Sequence, residues 1–359
     1  LREGKLRRVL FGQQEADTSS RGANGLEPLR SDVEAITGRF PAVVSYELYN
    51  AYPGSLTAFD AAGLRAGLPK LRARLLDKYR RGALTSLVWH MRCPKQRPSD
   101  NDAFAPAAPP ASYTLAELLA AKPGGGSGVH AAAWSATLDA LAELFLSLRT
   151  DDGELLPVLF RPFHEVTGDW FWWGRTNPPA VYRAAYRAMV EGLRARGVHN
   201  VLWVYCPDKP TDPYQVGQGG DFRAYYPGDD VVDVVGFDRY DDNSGAFAPG
   251  FAADLKAVGS FATEHRKVAA VTEVGRNFAV HGLAASPAWF SRALFGPVLE
   301  GPDGAPFVYV ALWRNAPWEK YMAEPGDGAL ADDLRALALR PGVLFADPSL
   351  RLYGERPAS

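Results

Sequence analysis

The stretch LPVLFRPFHEVTGDWFWWG, Leu156–Gly174, starts as one kind of structure and ends as another. Leu156 to Phe160 are apolar at every position rather than at alternate ones, which is the pattern of a strand covered on both faces. The run then reaches Arg161, His164 and Glu165, and Asp169 follows among Trp170, Phe171, Trp172 and Trp173. A core strand does not accommodate those charges, and a surface loop does not leave that much ring area in water. The two halves agree if the strand is buried in a parallel sheet and its carboxyl end opens into a binding site.

Seven further runs have the same character: Val9–Gln14, Ala42–Leu48, Leu84–Met91, Asn200–Pro207, Val231–Tyr240, Lys267–Gly275 and Pro306–Asn315. Helical patterns lie between most of them. Trp134, Leu138, Leu141, Phe145 and Leu148 recur at steps of three and four, making one apolar face. Pro178 and Pro179 read as a helix start before the Arg- and Ala-rich run through Arg196. Segments 60–81, 251–265, 288–299 and 329–339 fill the other gaps. Eight buried strands alternating with helices predict a (β/α)8 TIM barrel, here a single catalytic domain over residues 1–359. An open doubly wound sheet is the rival, but no Gly-rich turn follows the first run. Residues 93–128, rich in Pro, Ala and Gly, read as a long loop on the active face after the third strand.

Composition sets limits. The 359 residues are 47% hydrophobic and 22% charged, with a formal net charge of −2, enough for one sizeable core. So neutral a balance offers no attraction for nucleic acid or an anionic membrane, and no run of 18 apolar residues predicts a membrane span. Cys93 and Cys206 are too few for a disulfide scaffold, and a single bridge or two thiols both remain open. Leu1 followed by Arg2, Lys5, Arg7 and Arg8 without an apolar run is the start expected of a trimmed or a mature chain. Aromatic residues make up 12%, with nine Trp and fifteen Tyr, which suggests something flat to bind.

In a barrel the reactive groups sit at the carboxyl ends of the strands. His90, Glu165, Asp238 with Tyr240, Glu273, and Trp313 with Arg314 each stand where an apolar run ends. Glu165 and Glu273, ending the fourth and seventh runs, meet the need of glycoside hydrolysis for two carboxylates: one protonates the leaving oxygen while the other attacks or activates water. Arg161 is read either as a charge that keeps a carboxylate ionised or as part of an internal ion pair. His164 alternates with Glu165 along the strand and turns to the same mouth only if the strand end twists. Trp170 and Trp313 offer indole faces to the axial C–H groups of a pyranose, Trp318 extends the theme, and of Trp172 and Trp173 one belongs to the core. There is no P-loop, no G-x-G-x-x-G after a strand and no H-E-x-x-H; the six His are dispersed, so neither metal nor cofactor is expected.

FGQQ near the start, LVWHMRCP, RPFHEVTGDWFWWG, VVGFDRY, VTEVG and ALWRNA, in that order, closely resemble glycoside hydrolase family 26, a group of retaining (β/α)8 glycosidases. The resemblance implies an endo-acting β-1,4-mannanase, secreted or held at the cell surface or in the periplasm, that works as a monomer on β-mannan or its oligosaccharides. It implies Glu165 as general acid/base and Glu273 as nucleophile, with His164 contacting the nucleophile or the sugar. Tyr240 would orient Glu273, Asp238 would bond the sugar, and His90, Trp170, Trp313 and Arg314 would line the subsites, with Arg161 and Trp173 in support. Gln13 stands where many relatives carry His, a departure that touches one sugar contact. Members acting in an exo mode, on β-1,3-xylan or on mixed-linkage β-glucan share these motifs, and a sugar-binding barrel without catalysis is the alternative of another class.

Overall fold

The computed structural model describes residues 7–17, 31–48, 61–91, 114–120, 131–283, 287–301, 307–350 and 352–353. Eight strands carry the main sheet: β1 Val9–Gln14, β2 Val43–Glu47, β3 Leu84–Trp89, β4 Val158–Pro162, β5 Val201–Tyr205, β6 Val234–Asp241, β7 Val268–Arg276 and β8 Phe307–Leu312. They follow one another in sequence order around the sheet, and β1 also pairs with β8 in parallel. Sequential order with the first strand paired to the last is the topology of a (β/α)8 barrel. A short strand at Val343–Leu344 adds itself to β1, pairing with Val9 and Leu10.

Each strand lies inside the run that announced it, except that β6 and β7 extend one residue past theirs, to Asp241 and Arg276. Helices occupy Ala61–Arg80, Ala131–Ser147, Pro179–Arg194, Phe247–Glu264 and Ala329–Ala338. In the third, Pro178 precedes the first turn and Pro179 opens it, costing no hydrogen bond because the leading N–H groups have no partner within the helix. That helix buries Tyr182, Ala185, Tyr186, Met189, Val190 and Leu193, one stripe at three- and four-residue steps.

One expectation is made more specific and another is corrected. Segment 288–299 is a π-helical turn, Trp289–Phe295, running into a short α-helix, Gly296–Glu300. Asp333 accounts for its start by accepting from the backbone N–H of Phe290 (2.8 Å) and of Ser291 (3.2 Å). Residues 93–128 are not loop throughout, because Leu115–Ala120 is helical. The cause is a capping box: Glu117 accepts from the Thr114 N–H at 2.9 Å, and Thr114 Oγ1 accepts from the Glu117 N–H at 3.3 Å. The rest of that region, including Cys93 and any bridge from it, lies outside the described residues.

Two compact units can be distinguished, Leu1–Tyr46 with Lys78–Ser86 and Val234–Ser359, and Glu47–Asp77 with Leu87–Asp233. In the first, Phe11 of β1 stacks between Phe295 (5.5 Å) and Phe345 (4.9 Å). Gly12 lets the neighbouring strands close in, since a Cβ there would stand 3.1 Å from Val43 Cβ and 3.2 Å from Ala311 Cα. The second unit is rich in interlocked phenols. Tyr182, Tyr186 and Tyr205 are fully buried, and burial drives all three well above the usual tyrosine range; Tyr182 and Tyr205 donate to backbone carbonyls, while Tyr186 fills space.

One internal ion pair ties a helix to the sheet of the first unit. Arg239 Nη1 of β6 donates to Asp254 Oδ2 at 2.6 Å, and Asp254 is fully buried in helix Phe247–Glu264. Gly250 on that helix makes room, because a Cβ would come within 1.8 Å of Arg239 Nη2. Removing one partner leaves the other charge in a site that water does not reach. Asp254→Ala is therefore expected to cost about 3–5 kcal/mol of folding stability, measured as a drop in urea midpoint at constant slope.

Candidate active site

The chain leaves β4 at Pro162 and does not continue as a strand through Glu165. Phe163 (φ 51°) and Glu165 (φ 53°) both adopt the left-handed conformation that residues with a Cβ avoid. Four bonds hold that turn. Tyr182 Oη donates to the Phe163 carbonyl (3.1 Å), Trp173 Nε1 to the His164 carbonyl (2.8 Å), the Glu165 N–H to the Cys206 carbonyl (2.7 Å), and Thr167 Oγ1 to the Asp208 carbonyl (2.6 Å). Thus two backbone-strained residues are tied to the end of β5 and to the helix behind β4.

Glu165 is 9% exposed, and Trp170 Nε1 donates to its Oε2 at 2.7 Å. The half-buried Trp170 ring lies against Gly168, where any Cβ would meet the indole at 2.4 Å. Trp172 and Trp173 are both core, not one of them: Trp172 donates to the Met91 carbonyl at 2.8 Å, and Trp173, with no exposed surface, stacks on Phe171 at 4.5 Å. Trp173 therefore supports the turn from beneath instead of presenting a face to a sugar. Arg161, 2% exposed in β4, places Nη1 3.5 Å from Cys206 Sγ.

His90, just past β3, and His164 meet through their Nε2 atoms at 3.1 Å, with rings edge to face. Glu47, the last residue of β2, accepts from the His90 backbone N–H at 2.9 Å, and its other oxygen lies 2.5 Å from His90 Nδ1. His164 is fully buried, and burial, then His90, then Arg161 push its protonation well below the usual histidine range. Its neutral form is therefore favoured.

In the other unit the feature that aims the site is a β-bulge. Phe237 pairs with Val271 and Asp238 with Glu273, so Thr272 is the extra residue on β7. Thr272 Oγ1 bonds the Asp238 carboxylate at 2.6 Å, and Gly236 clears the space, since a Cβ there would sit 2.4 Å from Thr272 Cγ2. Glu273, 4% exposed, accepts from Tyr240 Oη at 2.7 Å. Tyr321 packs edge-on to Tyr240 at 5.4 Å over Gly275; burial and the nearby Glu319 and Glu273 raise its hydroxyl to about 12. Beyond β8, Arg314 donates to Glu15 (2.7 Å) and Glu319 (3.2 Å), and Glu319 also accepts from Trp313 Nε1 at 3.2 Å. Burial works against the Arg314 charge, but Glu15 and Glu319 outweigh it and hold the guanidinium firmly protonated. Trp318, by contrast, is 62% exposed.

Glu165, His164, His90, Arg161, Trp170 and Trp173 thus gather in one unit, and Asp238, Tyr240, Glu273, Trp313 and Arg314 in the other. Glu47, Glu15, Glu319 and Tyr321 were not singled out from sequence. Glu47 was within reach, since it ends its apolar run just as Glu165 and Glu273 do.

The family model for glycosyl hydrolase family 26 matches residues 1–283. The chain belongs to that family. Solved family 26 structures share its fold. A family 26 β-mannanase from Bacteroides ovatus is 30% identical with a TM-score of 0.76, covering 95% of this chain and 91% of that one. An endo-β-1,4-mannanase from Cellulomonas fimi is 30% identical with a TM-score of 0.75, covering 94% and 72%. A mannan endo-1,4-β-mannosidase from Bifidobacterium adolescentis is 34% identical over 324 residues, and this chain spans 30% of its length. No described helix of this family 26 chain is long and apolar enough to cross a membrane.

One carboxylate beside the Trp313–Arg314 segment stands out by its chemistry. Asp32 opens helix Asp32–Thr37 and accepts from Asn315 Nδ2 at 3.0 Å. Burial raises it from 3.8 to about 6, against the Asn315 bond and with help from Glu324. The folded state therefore holds a proton that the unfolded chain releases near pH 4, and stability falls as pH rises from about 4 to 6. Asp32→Asn keeps an acceptor for Asn315 and removes the buried charge. It is expected to stabilise the protein by at most about 3 kcal/mol above pH 6 and to change little below pH 4, read from urea unfolding at both pH values.

Proposed function

We propose that this chain is a retaining endo-β-1,4-mannanase, with Glu165 as general acid/base and Glu273 as nucleophile. The observation that carries the proposal is that Glu165, three residues past β4, and Glu273, near the end of β7, are both nearly buried and each accept a hydrogen bond from an aromatic side chain. In a first step Glu273 attacks the anomeric carbon while Glu165 protonates the departing glycosidic oxygen. In a second, Glu165 takes a proton from water, and that water releases the sugar from Glu273. The two roles require opposite protonation in the resting enzyme, so two dissimilar environments suit them. Trp170 orients the Glu165 carboxylate, and Tyr240 orients that of Glu273.

The endo mode and the mannan substrate rest on the names of the relatives, which act on mannan and cleave internally. Trp170 and Trp313, both partly exposed, are the indole faces available to sugar rings, with Asp238 and Arg314 beside Trp313 and β6 to bond hydroxyls. Nothing in this chemistry calls for a metal or cofactor. A polymer of this size cannot enter a cell intact, so the enzyme would work outside it.

The test is a time course on unbranched β-1,4-mannohexaose with products resolved by length and anomer. A spread of shorter oligosaccharides released as the β-anomer is expected; initial α-anomer would overturn retention, and mannobiose alone would overturn the endo mode. Hydrolysis of β-1,3-xylan or mixed-linkage glucan in place of mannan would overturn the substrate. Glu273→Ala should abolish turnover while oligosaccharides still bind. Glu165→Ala should slow substrates with poor leaving groups far more than activated aryl glycosides. Tyr240→Phe removes a donor to a charged carboxylate, worth about 1.5–3 kcal/mol, and kcat should fall by about 10- to 100-fold in the same assay.

A further inference from the structure

We propose that Glu47 is a positioning residue of this site: its carboxylate sets the direction of a hydrogen-bonded chain Glu47–His90–His164, and so selects the tautomer of the histidine that precedes Glu165. Its relevance to catalysis rests on the reading of Glu165 given above; the tautomers themselves do not.

A carboxylate only accepts. Glu47 receives the His90 backbone N–H on Oε1 at 2.9 Å, and Oε2 lies 2.5 Å from His90 Nδ1, so Nδ1 carries a hydrogen. Neutral His90 then has a bare Nε2. That atom lies 3.1 Å from His164 Nε2, a contact that needs one proton between the two nitrogens. It comes from His164, which becomes the Nε2–H tautomer with a bare Nδ1. His164 Nδ1 is buried without a partner. A lone pair is tolerable there, whereas the reverse direction would strand an N–H with no acceptor and set two lone pairs against each other at Glu47. Burial keeps His164 itself from taking a second proton, and a doubly protonated His90 would force the hydrogen of neutral His164 onto its partnerless Nδ1.

What the chain controls is the peptide next to the acid/base. The His164 ring lies between Phe171 (5.0 Å) and Trp173 (5.8 Å), and Trp173 also holds the His164 carbonyl. Glu165 follows directly in its left-handed conformation. A carboxylate that fixes an imidazole tautomer and ring orientation is a recurrent device for preorganising a neighbouring catalytic group. There is a second consequence. Both ring nitrogens of His90 are engaged within the protein, so His90 presents a sugar with its C–H edge.

Glu47→Gln tests the direction. Glutamine has one acceptor oxygen for two donors, and the backbone N–H of His90 cannot change its role. The amide N–H₂ then faces Nδ1, which has to become the acceptor, and the whole chain reverses. With uniformly 15N-histidine-labelled protein, long-range proton–nitrogen spectra assigned through His90→Gln and His164→Gln report each tautomer. Wild type is expected to show His90 protonated on Nδ1 and His164 on Nε2; Glu47→Gln should show both exchanged. On mannohexaose, kcat of Glu47→Gln should fall about 10- to 100-fold with KM nearly unchanged. A wild-type His164 protonated on Nδ1 would overturn the proposal even if the variant failed to fold. Exchanged tautomers with unchanged kcat would overturn the positioning role. The spectra need no substrate, so a wild type inactive on mannan but with the expected tautomers would sink the functional reading alone.

Discussion

A strand buried on both faces carries charge most readily toward its end, and eight such strands in one parallel sheet have all their carboxyl ends on the same side. This constraint organises the molecule. β1 ends before Glu15, β2 on Glu47, β3 before His90, β4 before His164 and Glu165, β6 on Asp241, and β8 before Trp313 and Arg314. The apolar interior that makes the barrel stable leaves reactive groups little other place to stand. It also means that each of them is only partly hydrated, so its partners have to be built in.

Those partners are specific. Arg314 is shared by Glu15 and Glu319, Arg276 pairs with Asp241 at 2.9 Å, Tyr240 holds Glu273, Trp170 holds Glu165, and Glu47 holds His90. Fixed donors and charges of this kind need no reorganisation when charge develops in a reaction. They come with backbone strain at Glu15, Phe163 and Glu165, all at positive φ. Strain of that sort persists only where surrounding bonds over-determine the turn, and the turn after β4 has four of them. Glycine is used sparingly for the same end: Gly168 under Trp170 and Gly236 beside Thr272 let large or branched groups lie against bare backbone.

Much of this was legible in the chain. The continuous apolar runs announced the strands, and periodic spacing announced the long helices, because both patterns follow from local geometry. The polar residue at the end of each run announced Glu165, Asp238, Glu273 and Arg314. Glu47 carries the same signal, but without the Trp-rich cluster that follows Glu165. The Thr114–Glu117 capping box was likewise visible, but it was hidden in a Pro- and Gly-rich stretch that reads as loop. The Arg239–Asp254 pair and the Arg314 clamp could not be read, because their members are 15 residues apart in one case and 299 in the other.

By itself the sequence determined the barrel and its family, since these depend on residue type and spacing along one strand at a time. Only the tertiary structure decided which way each group faces. Thr272 is squeezed out of register and so brings Glu273 opposite Asp238; Trp173 is buried while Trp170 is not; Glu47 reaches His90 and not solvent. Each of these is set by contacts between segments distant in the chain, where a bulge of one residue or a single glycine changes the direction of a side chain. Such contacts leave no local pattern to read.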